Sequence, residues 1–354
     1  MRNIIIIIFI FLSLTSYSQI RNQEISQIYL SGDLELAIST ADECMELDQN
    51  NIDCNLIMGR ALTDKGKYEE AIPYLTFTVT NDTKNTWRKA WALAYLGTCY
   101  FQMQNYSSSK KYLTECIKMK ATKNVTKYAD QRVKVFGFDN FFKKWKYVET
   151  SNFRFHFQNM DDSDIKDFTS SYESGFQEIN AFFESTVPKK IDFFVWNSHQ
   201  DAKKILQRDL GFAYPNYSIV HSHYQQTIGH EMTHVISHFS TDILFTSRFI
   251  NEGTAVCFDL SNRNGLEQVH NWIKNNNMQI NILDIWENDT KYNEDILYPL
   301  SGLFIAECIK YFGKEKFLEF FKNQSYQNAK SIFGNELDLM IKKFESKVNL
   351  LNDL

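Results

Sequence analysis

The sequence predicts an α+β fold in two parts: an α-helical repeat array, then a region with a small sheet and a mostly helical C-terminal part. Two observations support this prediction. Residues 22–125 repeat a turn pattern at a spacing close to 34 residues, which is typical of stacked helical hairpins. Phe153, Phe155 and Phe157 then alternate with polar residues as in a half-buried strand, and helical spacing dominates from Gly265 onward.

Length and composition are consistent with two folded parts. The 354 residues suffice for two domains, and 44% hydrophobic residues can fill two cores. The 38 basic and 43 acidic residues give a net charge of −5 without a long basic run. We therefore expect no nucleic-acid partner, because such a partner requires a clustered positive surface.

Residues 1–18 have the composition of a signal peptide. Arg2 gives a positive start, residues 4–14 are almost wholly apolar, and small residues precede Gln19. We expect cleavage near Ser18/Gln19 and an exported protein, either periplasmic or secreted; an uncleaved anchor is the alternative. The sequence contains no second apolar stretch of about 18 residues, so we expect no membrane span in the mature protein.

The segment 19–125 carries the repeats. Its turns are Gly32-Asp33-Leu34, Gly66-Lys67-Tyr68 at an offset of 34 residues, and Gln104-Asn105-Tyr106 at an offset of 38. A small residue follows each turn start by five positions: Ala37, Ala71 and Ser109. Gly59 and Gly97 precede the second and third turns by seven positions. The pattern resembles tetratricopeptide repeats, which implies about three helical hairpins and a protein partner; a generic helical bundle is the alternative.

Residues 126–147 are basic and aromatic without repeat spacing, and we interpret them as a junction. Six cysteines occur, none in CxxC spacing, so they predict no thiolate zinc site. Cys44 and Cys54 flank a predicted turn and could form a disulfide after export. The interpretation that we favour is two buried reduced cysteines.

Residues 148–354 form the second part. Its first half alternates strands and helices: a strand at Phe153–Phe157, a long amphipathic helix, a strand at Ile191–Trp196, a helix opened by Ser198, and a strand over residues 218–222. Its second half is predicted to be mostly helical. One late helix is expected to begin near Pro299 and to end at Gly313.

The helix after the last predicted strand carries His230-Glu231-Met232-Thr233-His234. Because the two histidines are four positions apart, both imidazoles project from one helix face toward one ion. Glu231 is offset by about 100° and can reach a water beside that ion without being a ligand. Zinc peptidases need this division, in which two neutral nitrogens hold the metal and a carboxylate accepts a proton from the attacking water.

A catalytic zinc needs a third protein ligand. Asn251-Glu252-Gly253-Thr254-Ala255 supplies a carboxylate 18 positions after His234. HExxH followed by NExxA resembles the gluzincin zinc peptidases, and the resemblance extends over about residues 148–347. It implies that His230, His234 and Glu252 hold Zn²⁺, that Glu231 is the general base, and that the substrate is a peptide or protein.

The resemblance also suggests supporting roles. Aminopeptidase-like gluzincins place a tyrosine that donates a hydrogen bond to the oxyanion in the region of Tyr298. Gly302 follows Tyr298 by four positions instead of the usual three, so a packing role stays open. Asp259 is seven positions after Glu252, on the same face if the helix continues, and could orient a zinc histidine; a solvated acid is the alternative.

Three other histidines have structural interpretations. His238 continues the spacing of the motif, but it lies about 12 Å from His230 along a straight helix, too far to share one ion. We interpret it as a surface or packing residue. His221 and His223 are interpreted as partly buried structural residues, with substrate contact as the alternative.

The sequence therefore predicts an exported zinc metallopeptidase whose helical repeats recruit a partner or substrate. The alternative is a catalytically silent repeat-scaffold binding protein with a peptidase-like domain. The presence of both histidines and both glutamates of the paired motifs favours the enzyme.

Overall fold

The structure, a computed structural model, describes residues 23–261 and 263–350. The chain divides into two compact units, with the boundary between Lys143 and Lys144. The predicted signal peptide lies outside the described residues. None of the helices in the two described ranges combines the length and the apolar character that a membrane span requires.

The N-terminal unit is a series of helical hairpins. A helix over residues 23–31 (α1) is followed by α2 (Leu34–Leu47), α3 (Ile52–Asp64), α4 (Tyr68–Asn81), α5 (Trp87–Gln102), α6 (Tyr106–Met119) and α7 (Lys123–Val135). From α2 to α7, helices that are neighbours in sequence pack on each other. Polar side chains cap several of them by accepting a backbone N–H of the first turn: Asp33, Asn51, Thr86, Asn105 and Thr122.

The three predicted turn positions have the same backbone conformation. Gly32, Gly66 and Gln104 have φ values of +88°, +78° and +61°, all in the left-handed region. This conformation favours glycine, which explains the glycines of the first two turns. Gln104 adopts it without being glycine, so the repeat geometry overrides the local preference there.

The glycines seven positions before the turns allow close helix packing. A Cβ atom on Gly59 would lie 2.6 Å from Leu75 Cγ, and one on Gly97 would lie 2.5 Å from Leu113 Cγ. The two contacts are equivalent, since each leucine follows its glycine by 16 positions. This recurrence supports the predicted repeats independently of the turns.

The helical unit extends beyond the predicted boundary at residue 125. The Thr122 hydroxyl accepts the Val125 N–H and begins α7, which packs on α5 and α6. The structure therefore places residues 126–135 in a helix instead of the predicted junction. Repeat spacing could not indicate this helix, because no partner helix completes a fourth hairpin before the boundary at Lys143.

A disulfide joins the end of α2 to the start of α3. Cys44 and Cys54 are paired, with their Cα atoms 6.3 Å apart. The interpretation of two reduced cysteines was therefore wrong, although both residues are buried as expected. The short turn between the helices brings the two side chains together.

In the described part of the C-terminal unit, five strands form one mixed sheet. They are β1 (Lys146–Glu149), β2 (Phe153–Phe157), β3 (Ile191–Trp196), β4 (Phe212–Tyr214) and β5 (Ile219–His223). The spatial order is β1-β2-β3-β5-β4. The central strands β2, β3 and β5 are parallel, and the two edge strands are antiparallel to their neighbours. The predicted strands at Phe153–Phe157 and Ile191–Trp196 agree with β2 and β3.

One face of this sheet is an apolar core. The odd-numbered residues of β2 and β3, together with Val220, pack with the apolar side of α8 (Asp162–Phe183). Met232, Val235 and Ile236 belong to the same cluster. This cluster attaches the helix that carries the HExxH motif to the sheet.

A row of rings crosses the other face. Tyr147, His156, Phe194, His221 and Phe212 stand at matching register positions on the five strands. Successive ring centroids are 5.4, 4.3, 4.4 and 5.1 Å apart. We call this row the ring ladder.

The rest of the C-terminal unit is helical. The further helices are α9 (His199–Leu206), α10 (His230–His238), α11 (Arg248–Cys257), α12 (Gly265–Asn276), α13 (Ile282–Glu287), α14 (Glu294–Phe312), α15 (Lys314–Phe321), α16 (Tyr326–Phe333) and α17 (Glu336–Asn349). The predicted start of α14 near Pro299 was wrong. The helix begins at Glu294, directly after Asn293, and Pro299 lies inside it.

Candidate metal centre

The helix α10 begins at a position that only glycine can occupy without strain. Gly229 has a φ of +119°, and a Cβ atom there would lie 2.5 Å from the carbonyl oxygen of Phe258. The apolar side of α10 is buried in the sheet core. His230 and His234 are therefore presented on the remaining side, one helical turn apart.

The next helix brings the third candidate ligand to the two histidines. Glu252 Oε2 lies 3.4 Å from His230 Nε2 and 3.5 Å from His234 Nε2. One ligand atom from each of the three residues lies within 4.8 Å of the others. Ligand atoms at about 2.1 Å from a tetrahedral zinc are separated by about 3.4 Å, so the spacing and the donor types both fit Zn²⁺.

The ligand cluster lies where two apolar cores of this unit adjoin. The apolar residues of α10 belong to the sheet core, whereas Phe249 and Ile250 of α11 belong to a second core formed by the C-terminal helices. The three candidate ligands are partly buried, with side-chain exposures of 16%, 11% and 19% for His230, His234 and Glu252. The two cores thus hold the three donor residues in place, while the side chains of these residues stay partly accessible to solvent.

The charges of the cluster favour an ionised Glu252. Burial alone would raise the pKa of its carboxyl group, but hydrogen bonds from His230 and His234 lower it far below the usual range. Burial would likewise lower the pKa of His230, yet the hydrogen bond to Glu252 and nearby acidic charges raise it. The Glu252 carboxylate and the His230 imidazole therefore stabilise each other's charged forms.

Glu231 has a different environment from Glu252. It is only 8% exposed and lines the same cleft as His230. Burial raises the pKa of its carboxyl group, although the charges of both motif histidines and of Arg208 act in the opposite direction. Glu231 therefore has the raised proton affinity that a general base requires.

Asn251 is a site residue that the sequence interpretation missed. Its side-chain amide nitrogen lies 3.3 Å from His234 Nδ1. If the amide is turned over so that its oxygen faces this atom, the oxygen accepts Nδ1–H and the Nε2 lone pair becomes available to an ion between the three residues. The sequence did offer a signal for this residue, because Asn251 is the first position of the NExxA motif, directly before the candidate ligand Glu252.

Tyr298 lies at the same site. Its ring stacks on His230 with a centroid distance of 5.7 Å, and it lines the cleft with His230 and Glu231. Burial and the charges of Glu252 and Glu294 raise the pKa of its hydroxyl group, so the group stays protonated and able to donate. The structure thus places Tyr298 beside the predicted ligands.

Close packing between α11 and α14 holds Tyr298 in place. A Cβ atom on Gly253 would lie 2.7 Å from Ser301 Cβ and 2.8 Å from the Ser301 carbonyl oxygen. On the opposite helix, a Cβ atom on Gly302 would lie 2.4 Å from Val256 Cγ1. The two glycines permit the short helix separation that brings Tyr298 over the ligands of α10 and α11.

The prediction for Asp259 rested on a helix that the structure ends earlier. Because α11 stops at Cys257, Asp259 does not share a helical face with Glu252. Its Oδ2 atom accepts a hydrogen bond of 2.8 Å from the Thr227 hydroxyl. The carboxylate lines the cleft and is close enough to His230 to raise the pKa of that imidazole. Its influence on the histidine is therefore electrostatic.

The three other histidines considered from the sequence, His221, His223 and His238, lie outside the ligand cluster. His238 is at the last position of α10, is partly buried and packs against Phe239. His221 and His223 are buried on β5, and His221 Nδ1 accepts a hydrogen bond of 3.0 Å from the Trp196 indole. All three therefore have packing contacts, as their structural interpretation requires.

One of the three candidate ligands, His230, lines a cleft of about 1050 Å³. Its walls come from the segment before β4, from α10 and α11, and from α14. Glu231 and Tyr298 also line this cleft, so a bound molecule could meet His230, the buried carboxylate and the tyrosine together. The arrangement can accommodate hydrolytic chemistry on a peptide-sized ligand.

Comparison with known proteins gives information on the N-terminal unit. No curated protein has significant similarity to the chain. Residues 92–123, which include most of α5 and all of α6, match the tetratricopeptide repeat family. The N-terminal unit is thus a helical array that contains a tetratricopeptide repeat, a type of domain that suggests protein partners.

Proposed function

We propose that the C-terminal unit is a zinc-dependent peptidase and that the repeats recruit its substrate or a partner protein. The observation that carries this proposal is the convergence of His230, His234 and Glu252, with His230 lining the same cleft as Glu231 and Tyr298. Two nitrogens and one carboxylate oxygen form the donor set of a catalytic zinc site with an open position.

The residues divide the chemistry among them. When bound, Zn²⁺ would act as a Lewis acid on the scissile carbonyl and lower the pKa of water. Glu231 takes a proton from the attacking water and later gives it to the leaving amine. Tyr298 donates a hydrogen bond to the oxygen on which negative charge develops. With its amide oxygen accepting Nδ1–H of His234, Asn251 would keep Nε2 of that ring unprotonated and available to the ion.

The repeats favour an interaction role in either case. A peptidase would use them to hold a protein substrate, whereas the alternative is a catalytically silent scaffold that uses only its repeats. The tetratricopeptide match supports the interaction part of both hypotheses. The complete set of ligands and the raised pKa of the buried Glu231 favour the enzyme.

Export of the protein is part of the proposal. The sequence of residues 1–18 supports it, with cleavage near Ser18/Gln19. The Cys44–Cys54 disulfide is consistent with an oxidising compartment such as the periplasm or the extracellular space. N-terminal sequencing of the natural product tests it, and retention of Met1 would contradict cleavage.

Metal analysis combined with peptide cleavage tests the proposed activity. The purified protein should contain about one zinc per chain, cleave members of a peptide library, lose cleavage with a chelator and regain it with zinc. His234→Ala should lose most of the zinc, whereas His238→Ala, on the same helix but outside the ligand cluster, should keep it. A zinc-loaded parent protein that cleaves no peptide would support the scaffold alternative.

A further inference from the structure

Arg208 lies in the wall of the candidate cleft. It precedes β4 and lines the same cleft as His230 and Glu231. The residue is exposed, and it shares the lining of this cleft with the buried Glu231. A molecule bound in the cleft beside Glu231 would therefore share the cleft with this guanidinium group.

Aromatic side chains fix the guanidinium group. Gly211, with a φ of +85°, turns the chain between Arg208 and β4. The Arg208 guanidinium carbon is 3.7 Å from the ring centroid of Phe212, and Nη1 donates a hydrogen bond of 3.3 Å to the Tyr214 hydroxyl. Stacking on a ring leaves the edge of a guanidinium group free for a planar anion. Because these contacts already hold the Arg208 side chain in the free protein, less side-chain entropy is lost when an anion binds.

Within the described ranges, the guanidinium group of Arg208 contacts aromatic rings and forms no ion pair with an acidic side chain. The neighbouring Asp209 pairs with Lys203 instead, at 3.0 Å. In the same cleft, Glu294 is paired with Arg248 at 3.3 Å. An arginine that is ordered, exposed to a cleft and without a carboxylate partner has the properties of a site for a carboxylate from a ligand.

We propose that Arg208 binds a carboxylate of the peptide substrate, so that the cleft prefers peptides with an acidic side chain or a free C-terminal carboxylate close to the scissile bond. The inference rests on the proposed peptidase function. Asp295, an exposed acid in the first turn of α14, lines another part of the wall and repels a carboxylate there. The preference for a carboxylate is therefore expected at a single position of the substrate, the one that lies beside Arg208.

Matched peptides test the preference. One series replaces Glu by Gln at each position around the cleaved bond, and a second series compares a free C-terminal acid with its amide. The parent protein should favour the carboxylate at one position by about tenfold in kcat/KM, mainly through KM. The series that shows the effect identifies whether the carboxylate belongs to a side chain or to the C-terminus.

Two variants assign the effect to Arg208. Arg208→Gln should bring the acid-to-amide ratio close to one, and Arg208→Lys should keep part of it, because a lysine supplies charge without the planar fork. Arg263→Gln removes the other arginine of the cleft wall and should keep the preference. Equal rates for acid and amide peptides in the parent protein, or an unchanged ratio in Arg208→Gln, would overturn the proposal.

A binding measurement separates this inference from the proposed activity. Calorimetric titration of the zinc-loaded Glu231→Gln variant with the same peptides reports affinity without turnover. The acid peptide should bind about tenfold more tightly than its amide, and a further Arg208→Gln change should remove the difference. If no peptide is cleaved by the parent protein but this difference is present, the proposed activity fails while the carboxylate site stands. Equal affinities would remove the site even if cleavage is observed.

Discussion

Glu231 and Glu252 are two carboxylates of one site with opposite tendencies to bind a proton. Burial raises the pKa of Glu231, whereas two histidine hydrogen bonds lower the pKa of Glu252. A ligand must stay ionised, and a base must take up a proton during the reaction. The surroundings of the two residues therefore match the two proposed roles, although the residue type is the same.

Replacement of Glu231 separates metal binding from catalysis. Glu231→Gln keeps the size of the side chain but cannot accept a proton, so turnover should fall by at least about 10²-fold. Zinc content and folding should stay close to those of the parent protein, since Glu231 is not among the converging ligand atoms. Zinc analysis and peptide cleavage measure both properties.

The control for this variant is Asp209→Asn, which removes an acid of the same cleft that pairs with Lys203 and lies outside the proposed chemistry. A Glu231→Gln variant that cleaves as fast as the parent protein would exclude the general-base role. Loss of zinc from the same variant would instead mean that Glu231 supports the ligand cluster.

At the scale of helices, the contact between α11 and α14 determines whether the site is complete. α11 carries Asn251 and Glu252, and α14 carries Tyr298. Neither helix contains the HExxH motif, so the geometry of the site depends on packing that the motif alone does not encode. Gly253 and Gly302 make that packing possible.

Gly253→Ala should destabilise the C-terminal unit. The added methyl group would meet the backbone of Ser301 at 2.8 Å, and backbone cannot move aside as a side-chain tip can. We expect a loss of about 1–3 kcal/mol in the free energy of unfolding, with weaker zinc binding as the helices separate. Urea unfolding and zinc titration measure the two effects.

Gly265→Ala is the matched control, because a Cβ atom there would lie 3.4 Å from the flexible Leu303 side chain, which is an ordinary contact. The control should leave stability within about 1 kcal/mol of the parent protein. Equal stability of both alanine variants would show that the α11–α14 contact is more adaptable than its distances indicate.

The disulfide between α2 and α3 gives a prediction for the first hairpin of the array. The chain has six cysteines, of which Cys99, Cys116, Cys257 and Cys308 are free. Alkylation of the denatured exported protein should therefore modify four thiols before reduction and six after it, as read by mass spectrometry. Closure of this short loop should stabilise the unit by up to about 3 kcal/mol. Six reactive thiols without reduction would contradict the disulfide.

For the molecule as a whole, secondary structure was predictable where the hydrophobic alternation is long, and it was missed where the strand is too short to show a period. The Phe153–Phe157 strand agrees with its prediction because alternation over five residues is unambiguous. The edge strands Lys146–Glu149 and Phe212–Tyr214 were missed, since four and three residues cannot establish a period. Short edge strands are defined by their neighbours in the sheet, which a local pattern does not contain.

The candidate site shows the same division. Spacing was enough to predict that His230 and His234 lie on one face, because a helical turn fixes the relation between them, whereas Glu252 was predicted from the resemblance of the paired motifs. The role of Asp259 depended on where α11 ends, and helix ends are the least predictable feature of a sequence. Asn251 acts through a hydrogen bond to another helix, which no spacing rule describes.

Separation of the two units tests their independence. Both apolar cores of the C-terminal unit consist of residues after Lys144. A fragment of residues 144–354 should therefore fold and bind about one zinc, and a fragment of residues 19–143 should fold without zinc. Circular dichroism and metal analysis check both fragments. An insoluble or zinc-free C-terminal fragment would mean that its fold requires the repeats.

The ring ladder has a consequence for how the sheet can assemble. The three central strands of the sheet are parallel. Parallel strands can pair only after the long chain segments between them have closed, so we expect the sheet to form slowly. A shift of one residue in β2 would exchange its phenylalanines with Arg154 and His156 and place a charge in the apolar core. The same shift would remove His156 from the row and separate Arg154 from Asp192, with which it forms an ion pair of 3.1 Å on the ladder face. Misaligned intermediates are thus penalised on both faces at once, and the slow step leads to a single register.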